Sequence, residues 1–255
     1  NKFMSRVSPA DIRASKGEKR LVTLSLGLAP MARIADPHCD LILVGDSLAM
    51  TLYGQSSTVA VPLEVMIWHA KAVVGATENA CVIVDLPFGT YEQSPQQAFE
   101  NAARVLKESG AQGVKMEGGE LMAPTVEFLT QRGIPVLGHI GLFPQHVNMT
   151  GGFKKERDAE RLSRDGMAHQ HAGAFACVIE AVPNELAGPL KDALEIPTIG
   201  IAAGVDCDGQ ILVIDDLIGL NPDYIPPFVQ PKAQVAQAIA AAINDYAHEV
   251  RRAER

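Results

Sequence analysis

Apolar residues gather in eight short runs, at 21–26, 40–44, 80–84, 113–117, 134–139, 174–180, 196–201 and 210–214. Leu41-Ile-Leu-Val44 and Ala80-Cys-Val-Ile-Val84 show no alternation of apolar and polar positions. A strand of that kind is buried on both faces, as in a parallel sheet flanked by helices. Segments at 29–36, 62–74, 94–108, 124–131, 158–172, 184–194 and 233–252 lie between or after the runs and read as helices. Over 94–108 the signals agree: Ser94 caps, Pro95 occupies the first turn and Gly110 closes the helix. The polar lead-in through residues 8–20 reads as a helix or turn, and 51–61 as a loop over a strand end. Residues 146–157 are polar and glycine-bearing, an active-site lid or a subunit contact, and 222–231 is a proline-rich turn region.

Eight buried strands alternating with helices over 255 residues predict a parallel (β/α)8 barrel, a TIM barrel. The expected organisation is one domain over residues 1–255, with an N-terminal lead-in and a C-terminal helix. A doubly wound open sheet is the competitor, but it usually has fewer strands, and neither G-x-G-x-x-G nor G-x-x-x-x-G-K-[ST] occurs here. The formal charge of −8 with no block of Lys or Arg argues against nucleic acid or an anionic membrane as partner. No apolar stretch approaches the roughly 20 residues that span a bilayer, and Asn1–Arg6 does not read as a signal peptide. Cys39, Cys81, Cys177 and Cys207 form no C-x-x-C pair; they read as buried thiols of a reduced, cytoplasmic protein, which disfavours zinc.

The polar residues that interrupt this pattern sit where the runs end. Asp46 and Ser47 follow the second run, Asp85 the third, Lys115 and Glu117 close the fourth, His139 the fifth and Glu180 the sixth. In a barrel the carboxyl ends of the strands converge on one face, so these residues are expected to share a pocket. Taken alone, Asp46 reads as a helix cap and Lys115–Glu117 as a salt bridge; four acids at four strand ends point instead to a built site. Carboxylates and hydroxyls suit magnesium, with Asp46 and Asp85 as the ligand pair and Glu117 bound directly or through water. Glu180, after Phe175-Ala-Cys-Val-Ile179 and before Ala181-Val-Pro183, is expected among apolar neighbours, where desolvation raises a carboxyl pKa and makes a base. Lys115 is placed to pair with a substrate carboxylate, while His139 reads equally as a hydrogen-bond donor to an enolate or a satisfied core histidine. Together the parts describe proton abstraction beside the carbonyl of a 2-oxo acid.

Six stretches in order carry a family resemblance: 44–50 (VGDSLAM), 84–89 (VDLPFG), 114–119 (VKMEGG), 138–145 (GHIGLFPQ), 173–180 (GAFACVIE) and 207–213 (CDGQILV). The chain resembles the ketopantoate hydroxymethyltransferases from about residue 5 to residue 230. The resemblance implies a (β/α)8 barrel that moves a hydroxymethyl group from methylenetetrahydrofolate to 3-methyl-2-oxobutanoate, giving 2-dehydropantoate in pantothenate and coenzyme A biosynthesis. It implies magnesium on Asp46 and Asp85, joined by Glu117, the oxo acid against Ser47, Asp85 and Lys115, and Glu180 as proton acceptor. It also implies a cytoplasmic homodecamer. The chain departs from the family pattern at Ser25-Leu26, Phe143, Ala202 and Asp215-Asp216, none of them a residue assigned to metal or proton transfer. Two other classes fit the residues. One is a magnesium-dependent 2-oxo acid lyase or mutase on the same barrel, although the K-x-C-G-H loop of the lyases is absent. The other is a non-catalytic, metabolite-binding barrel.

Overall fold

The computed structural model describes residues 6–253. Residues 1–5, most of the stretch read as no signal peptide, and residues 254–255 lie outside the described residues. In chain order the elements are α1 (Pro9–Ala14), β1 (Leu21–Ser25), α2 (Ala29–Ala35), β2 (Leu41–Val44), α3 (Leu48–Thr51), α4 (Leu63–Ala76), β3 (Cys81–Asp85) and α5 (Pro95–Ser109). There follow β4 (Gly113–Lys115), α6 (Ala123–Thr130), β5 (Val136–Gly141), α7 (Val147–Thr150), α8 (Ala159–His171), β6 (Ala176–Glu180) and α9 (Asn184–Ala193). The chain ends with β7 (Thr198–Ile201), β8 (Gly209–Val213), α10 (Ile214–Leu217) and α11 (Val235–Ala253). The eight strands close into a barrel in sequence order, as the run pattern predicts. Neighbouring strands are parallel, with Leu41 beside Cys81 and Val178 beside Ile199.

All four residues of β2, all five of β3 and all six of β5 are buried, which is why these runs show no polar alternation. Alternate residues point into the barrel. Leu41, Leu43, Cys81, Ile83, Leu137, Ala176, Val178 and Ile199 form one apolar cluster there, with Ile12 and Leu21. The period of two along a strand then decides what stands at the mouth. Two residues beyond Ile83 comes Asp85, two beyond Leu137 comes His139, and two beyond Val178 comes Glu180.

Some boundaries differ from the sequence reading for identifiable reasons. β5 begins at Val136 rather than 134, since Pro135 has no N–H to give a ladder. A Cβ on Gly113 would lie 2.6 Å from the Pro135 carbonyl oxygen, so only glycine lets the two strands approach there. β4 stops at Lys115, yet pairing with β5 continues irregularly, Met116 N donating to Leu137 O at 3.3 Å and Gly118 N to His139 O at 3.2 Å. β7 passes to β8 through residues 202–208 with no helix between them. The 146–157 segment opens with a 3-10 turn at Pro144–His146 and α7, which left-handed Gly151 ends.

By its packing the chain divides into two compact units, one running to Ile211 and the other from Leu212. The second unit carries α10 and α11, with Lys232 N donating to Leu217 O at 2.7 Å and Val235 N to Ile218 O at 3.0 Å. No residue of α11 is buried, and Ile239, Ile243, Tyr246 and Val250 make an exposed stripe at helical spacing. Among the described residues no helix is long and apolar enough to cross a membrane.

The lead-in to β3 hangs on one carboxylate. Asp36 accepts the backbone N–H groups of Glu78 (2.8 Å), Asn79 (3.1 Å) and Ala80 (2.8 Å) and the Asn79 side-chain amide (2.8 Å). Burial works to raise its carboxyl, but these donors outweigh burial and hold it below the usual carboxylate range. A lowered carboxyl stabilises the fold above its unfolded-state pKa, and that stabilisation is lost as the pH falls. Asp36→Ala, which removes the acceptor of three backbone donors and one side-chain donor, is expected to cost about 2–3 kcal/mol in urea unfolding at pH 7. The gap to the wild-type protein should narrow below pH 4; an equal gap at both pH values would contradict this account.

Candidate active site

The mouth brings together six of the strand-end residues that the sequence singles out: Asp46, Asp85, Lys115, Glu117, His139 and Glu180. Asp85, Lys115 and His139 arrive by strand parity and are buried at 3 %, 5 % and 3 % exposure. Asp46 arrives differently. Gly45 takes the next inward position after Leu43, and a Cβ there would land 2.3 Å from Ser25 Oγ, so the chain turns at a glycine and presents Asp46 from the turn. Its backbone N–H donates to Asp85 Oδ2 at 2.9 Å, which locks the two junctions together. Ser47 follows, partly exposed, at the start of α3. Glu117 lies just past β4, and its backbone N–H donates to the Tyr91 hydroxyl at 3.2 Å.

Lys115 is the ammonium of this cluster. Its Nζ stands 3.2 Å from Asp85 Oδ1 and 3.0 Å from His139 Nδ1, so its ion pair is with Asp85 rather than with Glu117. Burial works against its charge, yet Asp85, Glu117 and Asp46 together hold its pKa above the ordinary lysine value. Two of the carboxyls hold their protons more tightly as well. Burial first, then the neighbouring Asp85, pushes Asp46 up to about 8. Burial and the Asp46 charge likewise raise Glu117, against the pull of Lys115.

His139 is fixed at both ring nitrogens. Its Nε2 lies 2.7 Å from the Leu142 carbonyl, which can only accept, so that nitrogen carries the proton. Nδ1 faces an ammonium, which can only donate, so it accepts. The ring is therefore the neutral Nε2–H tautomer, and that N–H also faces Glu180 Oε2 at 3.2 Å. Glu180 was expected among apolar neighbours; instead its side chain is 21 % exposed, with His139 as a polar contact, because it is the last residue of β6 and opens onto the mouth. The chain leaves it through Ala181 at φ 52°, a left-handed turn unusual for alanine.

Sequence reasoning missed four residues that support this site. Gln145, 4 % exposed, reaches Asp46, Glu117 and Leu86 together. Tyr91 hydrogen-bonds both Gln145 and Glu117. From α8, one turn apart, Asp165 Oδ1 accepts Glu120 N at 3.0 Å, and the ring of buried His169 donates through Nε2 to Gly118 O at 2.5 Å. These two side chains clamp the Gly118-Gly119 turn that carries Glu117; a Cβ on Gly119 would lie 2.1 Å from Asp165 Oδ1. No local signal marks Tyr91, Asp165 or His169, because helical and loop positions gain their role only when the strands assemble. Gln145 had one weak signal, a polar residue closing the apolar stretch Gly141-Leu-Phe-Pro144.

The donor chemistry fits a hard divalent cation. Three carboxyl groups share one ammonium, and the buried Asp85 Oδ1 meets that ammonium as an ion pair at 3.2 Å without completing a hydrogen bond. Among the described residues no three His, Cys, Asp or Glu side chains close on a single point. The fit is thus to an ion that takes two carboxylates and completes its shell with water and substrate, as magnesium does.

A closed parallel barrel that gathers carboxylates, a lysine and a histidine at its carboxyl end has the architecture of a (β/α)8-barrel enzyme. The sequence pattern of the family described as ketopantoate hydroxymethyltransferase matches residues 6–254. The chain belongs to that family, and is a transferase. The 3-methyl-2-oxobutanoate hydroxymethyltransferase of Brucella melitensis biotype 1 is 52% identical over 250 residues, covering 96% of this chain and 91% of its own. The enzyme of the same name from Paracoccus denitrificans is 51% identical with the same coverage. Among solved structures, a putative phosphonomutase from Burkholderia cenocepacia superposes with a TM-score of 0.66 at 16% identity, covering 93% of this chain and 99% of that one. Phosphonopyruvate hydrolase complexed with oxalate and Mg++ gives 0.64 at 12% identity, covering 96% and 87%. At these identities the two structures bear on the fold alone.

The raised Asp46 carboxyl makes a sign-definite prediction for the metal-free protein. A native pKa above the unfolded value stabilises the fold at low pH, and that contribution is lost as the pH rises from about 4 to about 8. In EDTA the melting temperature should therefore fall across this range, and Asp46→Asn should flatten the fall. A slope unchanged in the variant would remove Asp46 as its source.

Proposed function

We propose that the mouth of the barrel transfers a hydroxymethyl group from methylenetetrahydrofolate to 3-methyl-2-oxobutanoate, giving 2-dehydropantoate. The observation that carries this reading is the pairing, in one mouth, of a partly open carboxylate at Glu180 with the Asp46–Asp85–Lys115–Glu117 cluster. The relatives at 51–52% identity named for 3-methyl-2-oxobutanoate support the substrate.

In the proposed reaction the oxo acid lies over the cluster, its carboxylate taken by Lys115 and Ser47. Lys115 has three N–H donors; one is directed at His139 Nδ1, and the ion pair with Asp85 completes no hydrogen bond, so donors remain for the substrate. Asp46 and Asp85, with Glu117 directly or through water, would hold magnesium, and a bound magnesium would supply Lewis-acid polarisation of the oxo acid's carbonyl. Glu180 takes the proton from C3, and the carbon so activated bonds to the methylene carbon of the folate. Water supplies that carbon's hydroxyl, and both C–N bonds to the folate break, the C3 proton and one water proton passing to the two nitrogens of the departing tetrahydrofolate. His139, donating through Nε2 to Leu142 O and toward Glu180, keeps that carboxylate turned to the mouth. Phe143 lies between the His139 and His146 rings, with centroids at 6.2 Å and 5.2 Å, and walls the mouth on the side of the 146–157 segment.

The proposed enzyme is a cytoplasmic homodecamer. Four buried, unpaired cysteines support a reducing compartment, and the uncovered apolar stripe of α11 supports association with further copies.

Proton NMR of 3-methyl-2-oxobutanoate in deuterium oxide, with the protein and magnesium but no folate, tests the base. The wild-type protein should exchange the C3 proton, and Glu180→Gln should slow that exchange by at least 10²-fold. Equal exchange by the two proteins would refute the role of Glu180. Exchange followed by 2-dehydropantoate when methylenetetrahydrofolate is added completes the reading, and a folded, magnesium-loaded protein with neither activity refutes it.

A further inference from the structure

One buried residue joins four of the loops that build the mouth. Gln145 Nε2 donates to Asp46 Oδ2 at 2.9 Å, after β2, and to Leu86 O at 3.1 Å, after β3. Its backbone N–H donates to Glu117 Oε2 at 3.1 Å, after β4, and the residue itself lies after β5. Its Oε1 accepts the hydroxyl of Tyr91, itself 2 % exposed, and the same hydroxyl oxygen accepts Glu117 N–H at 3.2 Å. The ring Tyr91–Gln145–Glu117 is closed and directional. A flipped amide would set Oε1 against the Leu86 carbonyl and the Asp46 carboxyl oxygen, which here accept from the NH2 group, so the partners permit one orientation.

The chemistry of this residue suits its place. Asp46, Asp85 and Glu117 already exceed the single ammonium of Lys115, and a second cation at position 145 would neutralise the charge that draws a divalent ion. A carboxylate there would add repulsion. An amide supplies directed donors and no charge. It holds Asp46 by Oδ2 and leaves Oδ1 for another partner.

We infer that Gln145 is a positioning residue: locked by Tyr91, it fixes the Asp46 and Glu117 carboxylates in the arrangement that binds the divalent cation. This rests on the magnesium reading of the same site and adds to it the element that sets the geometry. Removing an outer partner of a metal-ligating group typically weakens metal affinity or activity by 10–100-fold.

The test is Mn2+ binding, followed by the electron paramagnetic resonance signal of the free ion without oxo acid or folate, alongside kcat, KM and the melting temperature. Gln145→Met keeps size and neutrality but removes the amide. It should raise the Mn2+ dissociation constant at least tenfold and lower kcat at least tenfold while the protein still melts cooperatively. Tyr91→Phe, which frees the amide to turn, should weaken Mn2+ in the same direction, and the double variant should be no worse than Gln145→Met alone. If Gln145→Met does not fold, Tyr91→Phe carries the test by the same readouts. Mn2+ affinity within twofold of wild type in the folded variants would overturn the inference and leave the magnesium reading standing. Failure of the wild-type protein itself to bind Mn2+ would overturn both.

Discussion

Lys115 is the ammonium around which three buried carboxyl groups are arranged, and the rest of the mouth depends on that imbalance. A buried charge is tolerated when paired and hydrogen-bonded, and an uncompensated one is expensive. Asp85 has its ammonium at 3.2 Å; Asp46 and Glu117 have amides and a raised affinity for protons. A divalent cation bound as proposed would displace those protons. The surrounding structure keeps the acids apart and immobile: Gln145 on Asp46, Tyr91 on the Glu117 backbone, Asp165 and His169 on the turn beyond it.

The scaffold explains how such a cluster forms at the end of a strongly apolar core. In a parallel barrel each strand contributes inward residues at every second position, and those series run uninterrupted from Cys81 and Ile83 to Asp85, and from Ala176 and Val178 to Glu180. Packing of the barrel interior and placement of the reactive groups are thus one problem, settled by the same register. Changing the phase of a strand by one residue would turn its acid outward and bury the wrong face.

Most of the fold could be read from the chain, because it is written locally. Unalternated runs such as Leu41–Val44, caps such as Ser94 and stops such as Gly110 act over a few residues, and the structure has strands and helices at those places. The strand-end residues could be read for the same reason, since parity and the end of a run fix their position. What escaped was long-range. The pairing of Lys115 with Asp85 rather than Glu117 is decided by the neighbouring strand, and Glu180 faces His139 because β5 and β6 are adjacent. Tyr91, Gln145, Asp165 and His169 are 26 to 99 residues from the mouth groups they hold by side chain, or from the turn beside them. No periodicity of the intervening chain encodes such contacts.

The knot made by Gln145 has a consequence for motion. Four successive loops share one amide and its tyrosine, so none of them can open far while the others stay closed. Loops at a barrel mouth ordinarily fluctuate one by one on the scale of local unfolding. Here the junctions at Asp46, Leu86, Glu117 and Gln145 are tied by one hydrogen-bonded network, so their backbone amides are expected to lose protection from solvent exchange together. The mouth behaves as part of the barrel wall, and what flexibility the site retains belongs to the segment that follows Gln145.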